Sequence, residues 1–128
     1  MFLKKTTIII SYLFLSSCVS QNNCTDFKTG KFQLIDNELK FEAIIERNDS
    51  IQTEKILSTG EVSKFKISWI NDCEYSLQII EGPERYKNLY KNKLLFVKII
   101  STYNNEYTFE SKMEGSELII TNTIKKLK

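Results

Sequence analysis

No histidine occurs among the 128 residues, and the chain holds only three cysteines, four glycines and one proline. Without histidine there is no imidazole general base, no Ser-His-Asp or Cys-His nucleophile and no His-ligated zinc. Three cysteines are too few for a four-cysteine zinc site, and so little glycine and proline excludes collagen-like or low-complexity chains. No catalytic motif is visible and no cofactor or metal is implied. What is present suits one small globular domain: 41% hydrophobic residues, eight phenylalanines, six tyrosines, and 18 basic residues against 16 acidic ones.

The beginning of the chain reads as an export signal. Lys4 and Lys5 precede an apolar run from Thr6 to Leu15, and roughly ten residues are too few to span a bilayer. Leu15-Ser16-Ser17-Cys18 then matches a bacterial lipobox. Residues 1–17 are therefore expected to be a cleaved signal helix, with Cys18 carrying lipid. The competing reading is an uncleaved anchor, or an ordinary signal peptide with an incidental cysteine. Processing would leave 111 residues with 16 basic and 16 acidic side chains, because only Lys4 and Lys5 are lost. A neutral domain gains nothing from a polyphosphate, so nucleic acid is not expected as a partner. The terminal KKLK (125–128) reads as a solvated tail.

Lipidation of Cys18 leaves Cys24 and Cys73 as a pair in an oxidising compartment, where a disulfide is the default. The alternative of a redox-active pair lacks the C-x-x-C spacing. Residues 18–29 would form the anchored tether and N-terminal segment. Six residues from Cys18 to Cys24 reach at most about 20 Å, so the domain would sit close to the membrane.

Residues 30–128 read as one all-β domain. Short alternating runs rich in Ile, Phe, Tyr, Thr and Val give eight strand candidates: Gly30–Ile35, Leu39–Arg47, Ser50–Leu57, Val62–Trp69, Cys73–Ile80, Leu94–Tyr103, Tyr107–Met113 and Glu117–Ile124. All connections but one are short, which predicts antiparallel neighbours and an up-and-down, lipocalin-like eight-stranded barrel. Closure would remove the sheet edges, consistent with a monomer.

Period-two alternation also places side chains. Phe65, Ile67 and Trp69 share one face with Cys73, Tyr75 and Leu77 if the loop between them has three residues, Ile70-Asn71-Asp72; Trp69 then pairs with Cys73, Ile67 with Tyr75 and Phe65 with Leu77. Trp69 is either a core aromatic packed on the disulfide or a ligand-stacking residue. An even loop through Asn48-Asp49 puts Arg47, Gln52 and Glu54 on the face of Phe41 and Ile45. An unpaired buried charge is costly, so Arg47 and Glu54 form either a structural pair at the barrel mouth or a polar recognition group within a cavity. In the long connection, 81–93, Tyr86 and Tyr90 stand one helical turn apart beside Leu89, interleaved with Arg85, Lys87, Lys91 and Lys93. They are candidate lid residues, a basic-aromatic patch for an anionic group, or a solvated loop with one apolar anchor.

The string C-x2-F-x-T-G-x-F from Cys24 to Phe32, then Arg47 with Gln52 and Glu54, then F-x-I-x-W-x3-C-x-Y-x-L from Phe65 to Leu77 resembles a family of small lipoproteins from Bacteroidota, including flavobacteria. The resemblance covers most of the processed chain and implies no activity. Some members carry the label DNA topoisomerase IV, but an exported, neutral domain of 111 residues has no room for a gyrase-type cleavage core. No acidic run follows Cys18, the pattern of surface display in that phylum, so an outer-membrane anchor facing the periplasm is expected. Three functions fit: a binding module for a small apolar or amphiphilic ligand or an envelope protein; a structural envelope protein with a solid core; and an enzyme, or an inhibitor of one, without a legible motif.

Overall fold

The computed structural model describes residues 23–128; the proposed signal segment and Cys18 lie outside them. Eight strands, β1 (Gly30–Asp36), β2 (Phe41–Arg47), β3 (Ile51–Ile56), β4 (Val62–Asn71), β5 (Glu74–Glu81), β6 (Leu95–Tyr103), β7 (Glu106–Met113) and β8 (Ile119–Lys126), follow one another around a closed barrel. Every neighbouring pair is antiparallel. A 3₁₀ turn at Cys24–Phe27 precedes the barrel, and α1 (Glu84–Leu89) interrupts the long β5–β6 connection. Among the described residues no helix is long and apolar enough to cross a membrane.

The alternation seen in the sequence sets the two faces. Along β4, Ser63, Phe65 and Ile67 are buried while Val62, Lys64, Lys66 and Ser68 are exposed, as a pleated strand with one covered face requires. Two turns show the local chemistry. Tyr103 pairs with Glu106 around Asn104-Asn105, and Asn104 takes the positive φ of 52° that a two-residue hairpin needs. At the other end Asp36 Oδ1 accepts from the backbone N–H of Glu38 and of Leu39, and Lys40 follows at φ 51°. That turn delays β2 to Phe41 rather than Leu39.

Three expectations change. The β4–β5 register is two residues off the expected one: Trp69 pairs with Tyr75, Ile67 with Leu77 and Phe65 with Ile79. The turn is the two-residue Asp72-Cys73, with Asn71 opposite Glu74, and a bulge between Trp69 and Asn71 takes up the odd residue. A shift of two preserves side-chain parity, so the same residues still face inward. The C-terminal basic run is also no loose tail. Lys125 and Lys126 lie in β8 opposite Gln33 and Phe32, and the Leu127 N–H donates to the Lys31 carbonyl at 2.7 Å. Closing the barrel requires this ladder, which is why β8 runs later than its apolar pattern suggests. Finally, the N-terminal segment contributes to the core: Cys24 and Phe27 are buried, 1% and 2% exposed, while Thr25 and Asp26 between them face solvent.

The turns β2–β3, β4–β5 and β6–β7, the start of β1 and the end of β8 all lie at one end of the barrel. There the N-terminal segment folds inward as a plug. The Cys24–Cys73 disulfide fixes it to the β4–β5 turn, with Cα atoms 5.2 Å apart. Lys28 Nζ reaches Asp72 at 2.9 Å, the Asn23 N–H donates to Thr102 Oγ1 at 3.2 Å, and Lys126 Nζ donates to the Asp26 carbonyl. Phe27 packs edge-on against Tyr107, ring centres 5.0 Å apart, above Phe32, Ile45, Ile99 and Ile124. A second cluster, Phe65, Ile67, Tyr75, Leu77 and Val97, fills the adjoining wall. Complete burial of a side chain such as Phe27 contributes about 2–3 kcal/mol.

Candidate functional site

The barrel is filled at the plugged end and hollow toward the other. A cavity of about 290 Å³ runs from Arg47, Gln52, Tyr75 and Tyr107, all at most 4% exposed, to Leu39 and Ile120, which are 78% and 51% exposed. It therefore opens at the end carrying the β1–β2, β5–β6 and β7–β8 connections, opposite the plug. Its wall is apolar along Leu34, Ile45, Leu77, Val97, Phe109 and Ile124, with Asp36 and Asn122 hydrogen-bonded to each other at 3.1 Å near the mouth.

Arg47 forms the floor. Arg47 is the last residue of β2 and lies opposite Gln52, and the Asx turn that joins them uses Asn48 Oδ1 to accept from the N–H of Ser50 and of Ile51. Arg47 Nε donates to Gln52 Oε1 at 2.9 Å and Nη1 to the Phe27 carbonyl at 2.7 Å. Nη2 donates to the hydroxyls of Tyr75 and Tyr107 at 3.2 and 2.9 Å. The guanidinium carbon stands 4.7 Å from the Phe32 ring centre and 4.8 Å from that of Tyr75. Four hydrogen bonds and a cage of aromatic faces replace water around this charge.

Of the two alternatives for Arg47 and Glu54, the direct pair at the barrel mouth does not form. Among the described residues no carboxylate makes an ion pair with Arg47. Instead Gln52 bridges, its Nε2 donating to Glu54 Oε1 at 2.8 Å. Glu54 sits one inward position further along β3, opposite Ile45, too far into the barrel to meet a guanidinium that turns toward the plug. Burial pushes the Glu54 carboxyl above its ordinary value of 4.5, while Gln52 and Arg47 oppose the shift only in part. Burial likewise raises Tyr75 well above 10, so its hydroxyl stays protonated.

The Glu54 shift has a stability consequence. A carboxyl that holds its proton more tightly in the folded state contributes fully below pH 4.5, and that contribution is lost as pH rises through the raised value. Glu54→Gln keeps an acceptor for Gln52 and removes the ionisation. It is expected to raise stability at neutral pH and to leave stability at pH 4 nearly unchanged. Urea unfolding at the two pH values measures both.

Of the side chains singled out in the sequence, Arg47, Gln52, Glu54, Tyr75 and Tyr90 line the cavity. Trp69 does not. It lies at the plugged end of β4, packed against both core clusters, with its ring 4.7 Å from that of Tyr75 and Lys28 Nζ 5.4 Å above it. Its buried Nε1 has no hydrogen-bond partner. Tyr86 also stands outside, half-buried beneath Arg85 at 4.6 Å, whereas Tyr90 packs edge-on against Phe65 at 5.3 Å and forms part of the mouth. Burial pushes the Tyr90 hydroxyl up to about 12. Arg85 clamps Glu61 of the β3–β4 turn with both terminal nitrogens, holding α1 over the rim. Two residues went unrecognised in the sequence, Tyr107 and Phe27. The alternation of Tyr107, Phe109 and Ser111 marks an inward face, but nothing local says that Tyr107 meets Arg47 sixty residues earlier.

Among the described residues no group of three or more Cys, Asp or Glu is placed to hold a metal ion. A scan of protein-family models, a search of curated proteins and a search of solved structures each return no match for the chain.

Proposed function

We propose that the chain is a lipid-anchored protein of the bacterial envelope, held through Cys18, whose barrel binds one small amphiphilic molecule. The observation that carries the reading is the cavity: about 290 Å³, apolar along its length, polar at its closed floor and open at the end away from the plug. Binding sites for small molecules are concave, mainly apolar and furnished with a few convergent polar groups. A barrel packed solid would serve only as a structural body, and the packed half does so here. The anchor would leave the barrel from its plugged end, which turns the mouth away from the membrane. The resemblance to small Bacteroidota lipoproteins agrees with this reading and supplies no ligand.

Two measurements test it. Native mass spectrometry of protein purified from its own host is expected to show one non-covalent ligand of a few hundred daltons, released under activation. A ligand-free spectrum, together with no response of the barrel to any amphiphile, would return the protein to a structural role. For the anchor, Cys18→Ala is expected to move the protein from the membrane to the soluble fraction, and unchanged partitioning would refute it.

A further inference from the structure

The floor of the cavity has more hydrogen-bond donors than the protein can use. A guanidinium has five N–H groups, and at most four of those on Arg47 are engaged. The hydroxyls of Tyr75 and Tyr107 lie 3.0 Å apart and both accept from Arg47 Nη2. Between two such hydroxyls one hydrogen serves the pair, so the second O–H has no acceptor within it. At least one N–H and one O–H therefore remain unspent on side chains no more than 4% exposed that all line the cavity. Leaving buried donors unmet costs free energy, and the positive charge beside them lacks a carboxylate partner among the described residues. Glu54, an acid that lines the same cavity, is tied to Gln52 and is pushed toward its neutral form by burial.

Resting on the binding reading above, we propose that the ligand is an anionic amphiphile bound head-first, its carboxylate seated on Arg47, Tyr75 and Tyr107 and its hydrocarbon tail running to the mouth. A carboxylate brings the missing charge and two acceptor oxygens, and hydrogen bonds to an ionised acceptor are stronger than neutral ones. The reverse orientation would set the anionic head beside the Asp36 carboxylate at the mouth and leave the floor unmet. Size sets the tail. At roughly 30 Å³ for each water-sized group the cavity holds about ten such groups, a medium chain rather than a full phospholipid.

Isothermal titration of the full soluble domain with decanoate, 1-decanol and decyltrimethylammonium, each below its micellar concentration, tests the proposal. Decanoate is expected to bind about tenfold or more tighter than 1-decanol, with the cation weakest. The tyrosine pair gives a sharper signature. In Tyr75→Phe or Tyr107→Phe the remaining hydroxyl no longer shares its hydrogen and still offers it to the ligand, so each single variant is expected to stay within about threefold of the parent. The double variant has no hydroxyl left and holds the head through Arg47 alone, so its preference for decanoate over 1-decanol is expected to fall severalfold below that of either single variant. If the three probes bind equally, the cavity is a site but the head-group assignment is overturned. If decanoate is preferred and the double variant keeps that preference undiminished, the tyrosine hydroxyls do not hold the head and the proposal falls. If none of the three binds, the binding reading itself fails and this inference with it.

Discussion

Reducing the Cys24–Cys73 bridge is expected to lower the stability of the domain by about 4 kcal/mol, the chain-entropy value for a closed loop of this length. The bridge spans 49 residues of sequence, from the plug to the far side of the first four strands. In a domain of about a hundred residues, each kcal/mol shifts the melting temperature by about 4–8 °C, so a fall of about 15–30 °C should follow. The loss extends beyond the entropy of the unfolded chain. Without the covalent tie the plug is held by Phe27, the exposed Lys28–Asp72 pair and the bond from Arg47 to the Phe27 carbonyl, and the exposed pair contributes little. Calorimetry of the oxidised protein, the dithiothreitol-treated protein and the Cys24→Ser/Cys73→Ser variant gives the comparison. A shift under 5 °C would mean that the plug is fixed by packing alone.

Arg47→Ala is expected to cost about 3–5 kcal/mol, the range for removing one partner from a buried charged network. The guanidinium joins the plug, β3, β5 and β7 at one point, through the Phe27 carbonyl, Gln52, Tyr75 and Tyr107. Its removal leaves a backbone carbonyl and an amide oxygen without donors in a closed interior, together with a void under the plug. Arg47→Lys retains the charge but is expected to lose most of the same stability, because a single ammonium cannot span the directions that a planar fork serves. Equilibrium unfolding in urea measures both variants. An Arg47→Lys protein as stable as the parent would show that charge, rather than the four directed bonds, is what the core requires.

Much of the architecture was legible because a barrel repeats one simple rule. Alternation along Phe65-Lys66-Ile67 or Tyr107-Thr108-Phe109 identifies the covered face of each strand, and short connections dictate antiparallel order. The disulfide was legible from the cysteine count. Register was less so: hydrophobic parity is blind to a shift of two, and the bulge between Trp69 and Asn71 leaves no mark in the residue types. The strand that closes the barrel was misjudged at its end for a related reason, since Lys125 and Lys126 are recruited by backbone pairing rather than by apolar side chains. In the site, Arg47, Gln52 and Glu54 came from one hairpin and were visible together. The convergence of Tyr75 and Tyr107 on the same guanidinium joins segments 28 and 60 residues away, a contact that only closure of the sheet creates.

The position of the disulfide governs how the molecule answers mechanical force. A pull along the residues preceding Asn23 meets its first covalent tie at Cys24 and passes through two sulfur atoms into the β4–β5 turn. The load is thereby delivered to the turn that joins the longest strand pair, Val62–Asn71 with Glu74–Glu81. It bypasses the seam between β1 and β8, whose register covers three residues. Drag on the barrel would be borne by a covalent link and a long ladder in shear, while the short seam at which the cylinder could be unzipped stays out of the line of tension.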